Sequence, residues 1–455
     1  MNRTTLLLAA AAVLTLVALV SGPRPPGHGS ANAPVPSASP RAKGVAGSNT
    51  LSFTAAATDG LLATQGGEAW AVVDVQAAER HVADQRVSLA IALDVSGSMS
   101  GGKLEQAKLA ARRLVERLGD GDELALVAFS DGARTLPLAR MDEGGRAAAL
   151  LWIDGLGTEG ATNIGAGLEA AEAALLAGTG AGRIVLVSDG KATVGLVTRP
   201  ALEARALEAH ARGLTLTAIG VGTDFDPGLM RGMAQSGGGF YGDLRQPEAL
   251  EVVLAQELSQ ARAPLARNVT LTFQPGDAAV VSAAGRTLRQ GGDGATVWLP
   301  DLGSGASARV LVKLRVPSGT SAVALLRPKL AWTNADGTRE AAEATVTVAR
   351  SWDADEVRRS RDEVLYADVA RAFGNEQLVL ASEALERGDR AAAFGLLDRA
   401  RAMFGTSADA LAGEDQVVSE TKQRWESGNY DAKRESKDMM KKTLSTFGEK
   451  NAYAY

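Results

Sequence analysis

Three short runs in this chain carry oxygen-bearing side chains at spacings that suit cation chemistry. The first is Asp94-Val95-Ser96-Gly97-Ser98. The second is Gly160-Ala161-Thr162-Asn163-Ile164-Gly165, and the third is Ser188-Asp189-Gly190. Taken together, Asp94, Ser96, Ser98, Thr162 and Asp189 offer two carboxylates and three hydroxyls, with neither nitrogen nor sulfur among them. All-oxygen sets of this kind suit hard cations, Mg2+ above all, with waters completing the octahedron.

The elements around these runs are the ones needed to aim them. Leu89-Ala90-Ile91-Ala92-Leu93 is an unbroken apolar run, the pattern of a strand buried on both faces in a parallel sheet. Arg183-Ile184-Val185-Leu186-Val187-Ser188 has the same character and ends at Asp189. In open α/β sheets, ligands bind outside the carboxyl ends of the strands. Alternation across the first turn lets the oxygens of Asp94, Ser96 and Ser98 face one point. A helix pattern begins at about Lys103. By itself the first run also fits residues that merely cap a helix. Thr162 and Asp189 at matching ends favour the metal reading.

The Asp-x-Ser-x-Ser turn, the Thr of Gly-Ala-Thr-Asn and the Ser-Asp-Gly turn resemble the metal-ion-dependent adhesion site of von Willebrand factor A domains, all five positions in order. The resemblance covers about Val87 to Gln260. It implies that Ser96, Ser98 and Thr162 bind a divalent ion by hydroxyl, directly or through water. It implies that Asp94 and Asp189 bind mostly through water, and that an open position takes an Asp or Glu carboxylate from a partner protein. Mg2+ is the first expectation, with Mn2+ and Ca2+ as alternatives. A site with few directly bound carboxylates leaves the ion poorly neutralised, so an incoming anion completes it.

Composition narrows the remaining classes. A chain of 455 residues at net charge −5 has room for several domains and gives no basic signature of nucleic-acid binding. The absence of cysteine rules out disulfides, thiol catalysis and a lipoprotein cysteine. Residues 1–21 hold a basic start and the apolar run Leu6–Val20, the signature of a signal peptide or membrane anchor, with a small-x-small site at Ala31-Asn32-Ala33. The chain is therefore expected to be exported to a periplasmic, cell-surface or secreted location. Residues 22–50, rich in Pro, Ser, Gly and Ala, read as a disordered spacer.

Residues 51–86 and 263–350 carry short strand patterns separated by turns, among them Ala69–Val75, Val269–Phe273 and Arg309–Val316. The first block is too short to fold alone. Both flanks are therefore expected to build one β-sandwich, with the α/β domain, residues 87–262, inserted between them. The expected fold class is a doubly wound, Rossmann-like domain inserted in a β-sandwich, followed by a helical region. This layout resembles exported bacterial A-domain proteins of the inter-alpha-trypsin-inhibitor and calcium-activated-channel-homologue type; no set of pore helices accompanies it. Within the domain the pattern predicts helices Lys103–Leu118, Ile164–Ala177, Pro200–Arg212 and Pro247–Gln260, strands Glu123–Phe129 and Leu214–Gly220, and an edge strand Ala133–Leu138. Residues 351–455 read as helical. A hairpin turning at Gly388-Asp389 resembles one tetratricopeptide unit and is expected to pack on the sandwich, with a charged tail from Glu414 expected as a solvated helix and, as the alternative, a partner-docking helix.

Several motifs are discounted. Gly97-x-x-x-x-Gly102-Lys103 continues with Leu104, so the hydroxyl of a phosphate-binding loop is missing. Asn268-Val269-Thr270 is a sequon inside an expected strand, and Asp353-Ala354-Asp355 lacks the Gly and Glu of a calcium loop. His28, His81 and His210 are read as distant from the metal, His210 on a surface helix. Lys103 and Lys191 border it, either as solvated lysines or as charges that steer an acidic ligand. The functional expectation is a non-enzymatic binding protein that captures an acidic residue through the ion. The alternatives are a scaffold with a structural metal, or a Mg2+-dependent hydrolase, for which no dedicated base is present.

Overall fold

In the computed structural model, Val87–Asp94 is the central strand of a six-stranded sheet and every one of its residues is buried. The structure describes residues 39–80, 85–176, 181–189, 192–221, 226–244, 262–405 and 410–428, with single positions 178, 258, 431 and 435. The expected signal segment and the expected helix Pro247–Gln260, apart from Leu258, lie outside the described residues.

The order across the sheet is Gly238–Leu244, Thr215–Val221, Ala181–Ser188, Val87–Asp94, Glu123–Phe129, Ala133–Arg140. The last strand is antiparallel and the other neighbours are parallel. Pro137 sits in that edge strand, where a missing N–H is tolerated. This is the doubly wound order, and it reverses between Val87–Asp94 and Ala181–Ser188. Side chains of the central strand alternate between two cores. Leu89, Ile91 and Leu93 meet the helices Lys103–Arg117 and Glu143–Asp154. Ala90 and Ala92 meet the helices Ile164–Leu175, Arg199–Ala211 and Pro227–Ser236. A Cβ on Gly167 would lie 2.6 Å from the Phe129 ring, so this glycine sets how closely its helix approaches the sheet.

The sandwich is assembled from both flanks, as expected. Gly67–Ala77 pairs antiparallel with Ser307–Val316 over ten positions, from Gly67↔Val316 to Ser307↔Gln76. Both flanks feed one apolar core, which includes Phe53, Val73, Leu271, Phe273, Val312 and Trp332. The inserted domain is anchored to it by a buried ion pair, Arg183–Asp301 at 3.0 Å.

Four expectations require correction. The spacer does not extend to residue 50, because Arg41–Val45 pairs with Leu51–Ala57. Backbone pairing needs no apolar side chains, and Gly44 leaves room for the Phe53 ring, which a Cβ would approach to 2.2 Å. Two helices, Glu143–Asp154 and Pro227–Ser236, and the strand Gly238–Leu244 were not anticipated. His210 is buried at 3% exposure, not on an open surface; burial lowers its pKa, while its ring nitrogen Nδ1 meets the Leu214 carbonyl at 3.2 Å. Finally, the region from Glu414 is not a wholly solvated tail. Helix Ala412–Glu426 buries Val418, Thr421 and Trp425.

The helical region packs on the sandwich, as expected. Leu365, Val369, Ala372 and Phe373 of helix Glu363–Glu386 share a core with Ala56, Val72 and Leu311, and the Trp70 and Phe373 rings lie 4.7 Å apart. The same helix reaches the inserted domain through Val379 and an Arg199–Glu383 pair at 3.6 Å. The expected faces Leu378/Ala381/Leu385 and Ala393/Leu397/Ala400/Phe404 do close on one another, with Trp425 completing their core. Truncating a buried aromatic costs about 3–5 kcal/mol, against about 0.5 kcal/mol for a surface change. Trp425→Ala is therefore expected to lower denaturant stability by the larger amount. A change near the smaller figure would mean that this helix is solvated after all.

Candidate functional site

Register alone brings two of the three runs, those of Asp94 and Ser188, toward one edge. Asp94 pairs with Phe129 and Leu93 with Val187, so Asp94, Ser130 and Ser188 leave the sheet together. The crevice lies where the strand order reverses, the position at which open α/β sheets bind ligands. Beyond Asp94 the chain turns through a short 3-10 segment, Gly97–Met99, and Met99 is fully buried beneath it. Gly101 and Gly102 then carry φ of +77° and +107°, a conformation L side chains rarely adopt, and they lead into helix Lys103–Arg117. The near-match to a phosphate loop is thus a turn between a strand and its helix.

Four of the five expected side chains join through one hydrogen-bonded chain. Asp94 Oδ1 accepts the Ser96 backbone N–H at 2.8 Å, and its Oδ2 accepts the Ser188 hydroxyl at 2.6 Å. The Ser96 and Ser98 hydroxyls are 3.0 Å apart, and Ser98 Oγ donates to Asp189 Oδ1 at 2.7 Å. Asp94 and Asp189 are both 0% exposed, whereas Ser98 is open to solvent. Burial raises the Asp94 pKa, and the nearby Asp189 carboxylate adds to that; the bonds from Ser188 and Ser96 oppose it.

Thr162 is brought alongside by its backbone. Glu159 N–H donates to Val95 C=O at 2.7 Å and Gly97 N–H to Gly160 C=O at 3.2 Å, which ties this loop to the first turn. Thr162 N–H donates to Thr193 Oγ1 at 2.9 Å, and the Thr193 N–H returns to the Thr162 carbonyl at 2.9 Å. Asn163 caps helix Ile164–Leu175 through the Ala166 N–H at 3.0 Å, and its amide donates to the Asp131 carbonyl at 2.9 Å. The cap is a structural role for Asn163; it leaves the Thr162 hydroxyl to other uses.

Three positions escaped the sequence reading. Ser188 steadies the buried Asp94 carboxylate and was in plain view beside Asp189. Thr193 and Asp131 hold the Thr162 loop, Asp131 also accepting the Ala161 N–H at 3.2 Å; no local pattern marks either. Lys103 is not an ordinary solvated lysine. Its ammonium bonds Asp189 Oδ2 and donates to the Ser98 carbonyl at 3.2 Å. Lys191 lies outside the described residues. The expected calcium-loop start is a helix cap, with Asp353 Oδ1 accepting from the Asp355 N–H at 2.8 Å. Among the described residues no group of three or more His, Asp or Glu side chains could hold a metal. A cation at this edge would therefore depend on hydroxyls. The donor set fits that role: hydroxyl and carboxylate oxygens within hydrogen-bonding reach of one another, the softer ligand types missing, and Ser98 facing outward.

Comparison with known proteins agrees with the architecture. The family model of the von Willebrand factor type A domain matches residues 88–256, and the chain carries that domain there. YfbK of Escherichia coli (strain K12), an uncharacterized protein, is 30% identical over 211 residues, covering 45% of this chain and 36% of YfbK. E3 ubiquitin-protein ligase WAV3 of Arabidopsis thaliana is 28% identical over 343 residues, 72% of this chain and 44% of WAV3. Inter-alpha-trypsin inhibitor heavy chain H2 of Mus musculus is 27% identical over 191 residues, 40% of this chain and 20% of that protein. The chain spans less than half the length of each of these relatives. The solved structure of a von Willebrand factor type A protein from Catenulispora acidiphila superposes with a TM-score of 0.63 at 24% identity, over 81% of this chain and 89% of that one, a likeness of fold.

The raised Asp94 pKa gives a test of the site's electrostatics. A carboxyl whose folded pKa lies above its unfolded value costs nothing while protonated in both states, and costs stability as pH rises through the folded pKa. Asp94→Asn removes the charge; its oxygen still accepts the Ser96 N–H, and its NH2 group donates to the Ser188 hydroxyl, which turns to accept. In chelator, its melting temperature is expected to gain on the wild type as pH rises from acid to neutral. A difference in melting temperature between the two proteins that stays constant or widens against the Asn variant as pH rises would contradict this.

Proposed function

We propose that the crevice at the switch point is a divalent-cation site and that the chain is a binding protein acting through it. Ser96, Ser98 and Thr162 would hold the ion by hydroxyl, with Asp94 and Asp189 as the anionic members of the set. Mg2+ fits the oxygen donors first, and Mn2+ or Ca2+ are the alternatives. A bound ion supplies positive charge that pairs with an incoming carboxylate. The protein's own contribution is preorganisation: Ser188 and the Ser96 N–H hold Asp94, Thr193 and Asp131 hold the Thr162 loop, and buried Met99 supports the turn that carries Ser98.

The observation that carries this reading is the hydrogen-bonded chain Ser188–Asp94–Ser96–Ser98–Asp189, buried at both ends and open at Ser98. A partner that presents an Asp or Glu side chain at Ser98 would complete it. Among the described residues no histidine reaches these bonded groups; His210 is buried on the core side of helix Arg199–Ala211. Binding is therefore favoured over hydrolysis. WAV3 is named as a ligase, but the match to it spans under half of that protein.

Captured from a cell-envelope extract with the full chain in detergent, a protein partner is expected in Mg2+. It is expected to be lost in chelator and with a folded Asp94→Ala variant. An identical set of captured proteins under all three conditions would contradict metal-dependent binding. We place the chain outside the cytoplasm on the strength of residues 1–21. Fused ahead of alkaline phosphatase, which needs an oxidising compartment to form its disulfides, residues 1–50 are expected to yield active enzyme. An inactive fusion retained in the cytosol would overturn the assignment.

A further inference from the structure

We propose that Lys103 is a tethered cation that weakens the hold of this site on its divalent ion and strengthens its hold on an acidic ligand. The proposal rests on the metal reading given above and concerns how that site is tuned.

Lys103 is the first residue of helix Lys103–Arg117, where the helix dipole disfavours positive charge. Its position therefore does not serve the helix. The side chain is 27% exposed, yet its ammonium lies against Asp189, which is 0% exposed, and against the Ser98 carbonyl. Asp189 thus has one oxygen on Ser98 and the other on Lys103. This ammonium meets one member of the candidate ligand set directly and the backbone of a second.

Charge decides the consequence. Two buried carboxylates alone would neutralise a divalent ion, and an incoming carboxylate would then add uncompensated negative charge. With the lysine present, the carboxylates and ammonium together leave one net negative charge. A divalent ion then brings the site to one net positive charge, which a single carboxylate cancels. Lys103 therefore opposes the metal and favours the ligand. Both effects are strong because they act at short range on buried partners, where salt screens little. A lysine that only stabilised Asp189 in the fold would not shift the two affinities in opposite directions.

The test uses the full chain, stripped of metal and titrated with Mn2+. Binding is followed by water-proton relaxation, and acetate is then titrated onto the loaded protein. Lys103→Met is expected to bind Mn2+ about tenfold more tightly and acetate about tenfold more weakly. Lys103→Gln, which retains a donor for Asp189, should do the same, so the result does not hang on one variant folding. Lys103→Arg keeps the charge and should stay within about threefold of the wild type on both measures. Unchanged or weaker Mn2+ binding in both neutral variants, or acetate binding that does not weaken, would overturn the role of Lys103 while leaving the metal site intact. Failure of all four proteins to bind Mn2+ would overturn the metal reading and this proposal with it.

Discussion

Two carboxylates without solvent exposure lie at the ends of adjacent parallel strands, and much of the local structure answers to them. An ionised carboxylate removed from water is costly unless its oxygens are satisfied. Asp94 takes the Ser96 N–H and the Ser188 hydroxyl, and Asp189 takes the Ser98 hydroxyl and the Lys103 ammonium. Ser96, Ser98 and Ser188 are close neighbours of one of the two aspartates in sequence, whereas Lys103 reaches Asp189 from 86 residues away. The turn that supplies all of them but Ser188 is possible because Gly101 and Gly102 accept positive φ. Charge burial and turn geometry are therefore one constraint seen from two sides.

The wider architecture keeps that edge in register. The central strand is locked between Glu123–Phe129 and Ala181–Ser188, so neither aspartate can slip without inverting an alternating pair of cores. The sandwich closes around the insertion through Gly67–Ala77 and Ser307–Val316, and the Arg183–Asp301 pair ties its core to the strand that delivers Asp189. Helix Glu363–Glu386 touches both bodies, the sandwich through Phe373 and the inserted domain through Val379. The far end of the chain thus supports a domain encoded some two hundred residues earlier.

The parts of this design that could be read from sequence are those governed by local pattern. Leu89–Leu93 and Ile184–Val187 declare buried parallel strands, and an oxygen-rich turn after each places residues at a sheet edge. The two-flank sandwich followed from strands too few on either side to close alone. What stayed hidden depends on tertiary partners. Arg41–Val45 looked like spacer because a strand can be recruited by backbone bonds alone. The charged segment around Glu414–Glu426 looked solvated because its one large apolar anchor, Trp425, is surrounded by polar residues. His210 looked like a surface residue because only the fold brings Leu214 and Gly238 against its ring. At the site, Ser188 was visible but unread, and the link from Thr193 to Thr162 spans 31 residues, beyond any local pattern.

Binding through this sheet edge requires that its oxygens hold a cation. Calorimetric titration of Mg2+ into the metal-stripped full chain, alongside a Ser96→Ala/Thr162→Ala double variant with an unchanged circular dichroism spectrum, tests this directly. One ion per chain in the wild type and none in the variant is the expected result. Absence of binding in the wild type, or equal binding in both proteins, would contradict it.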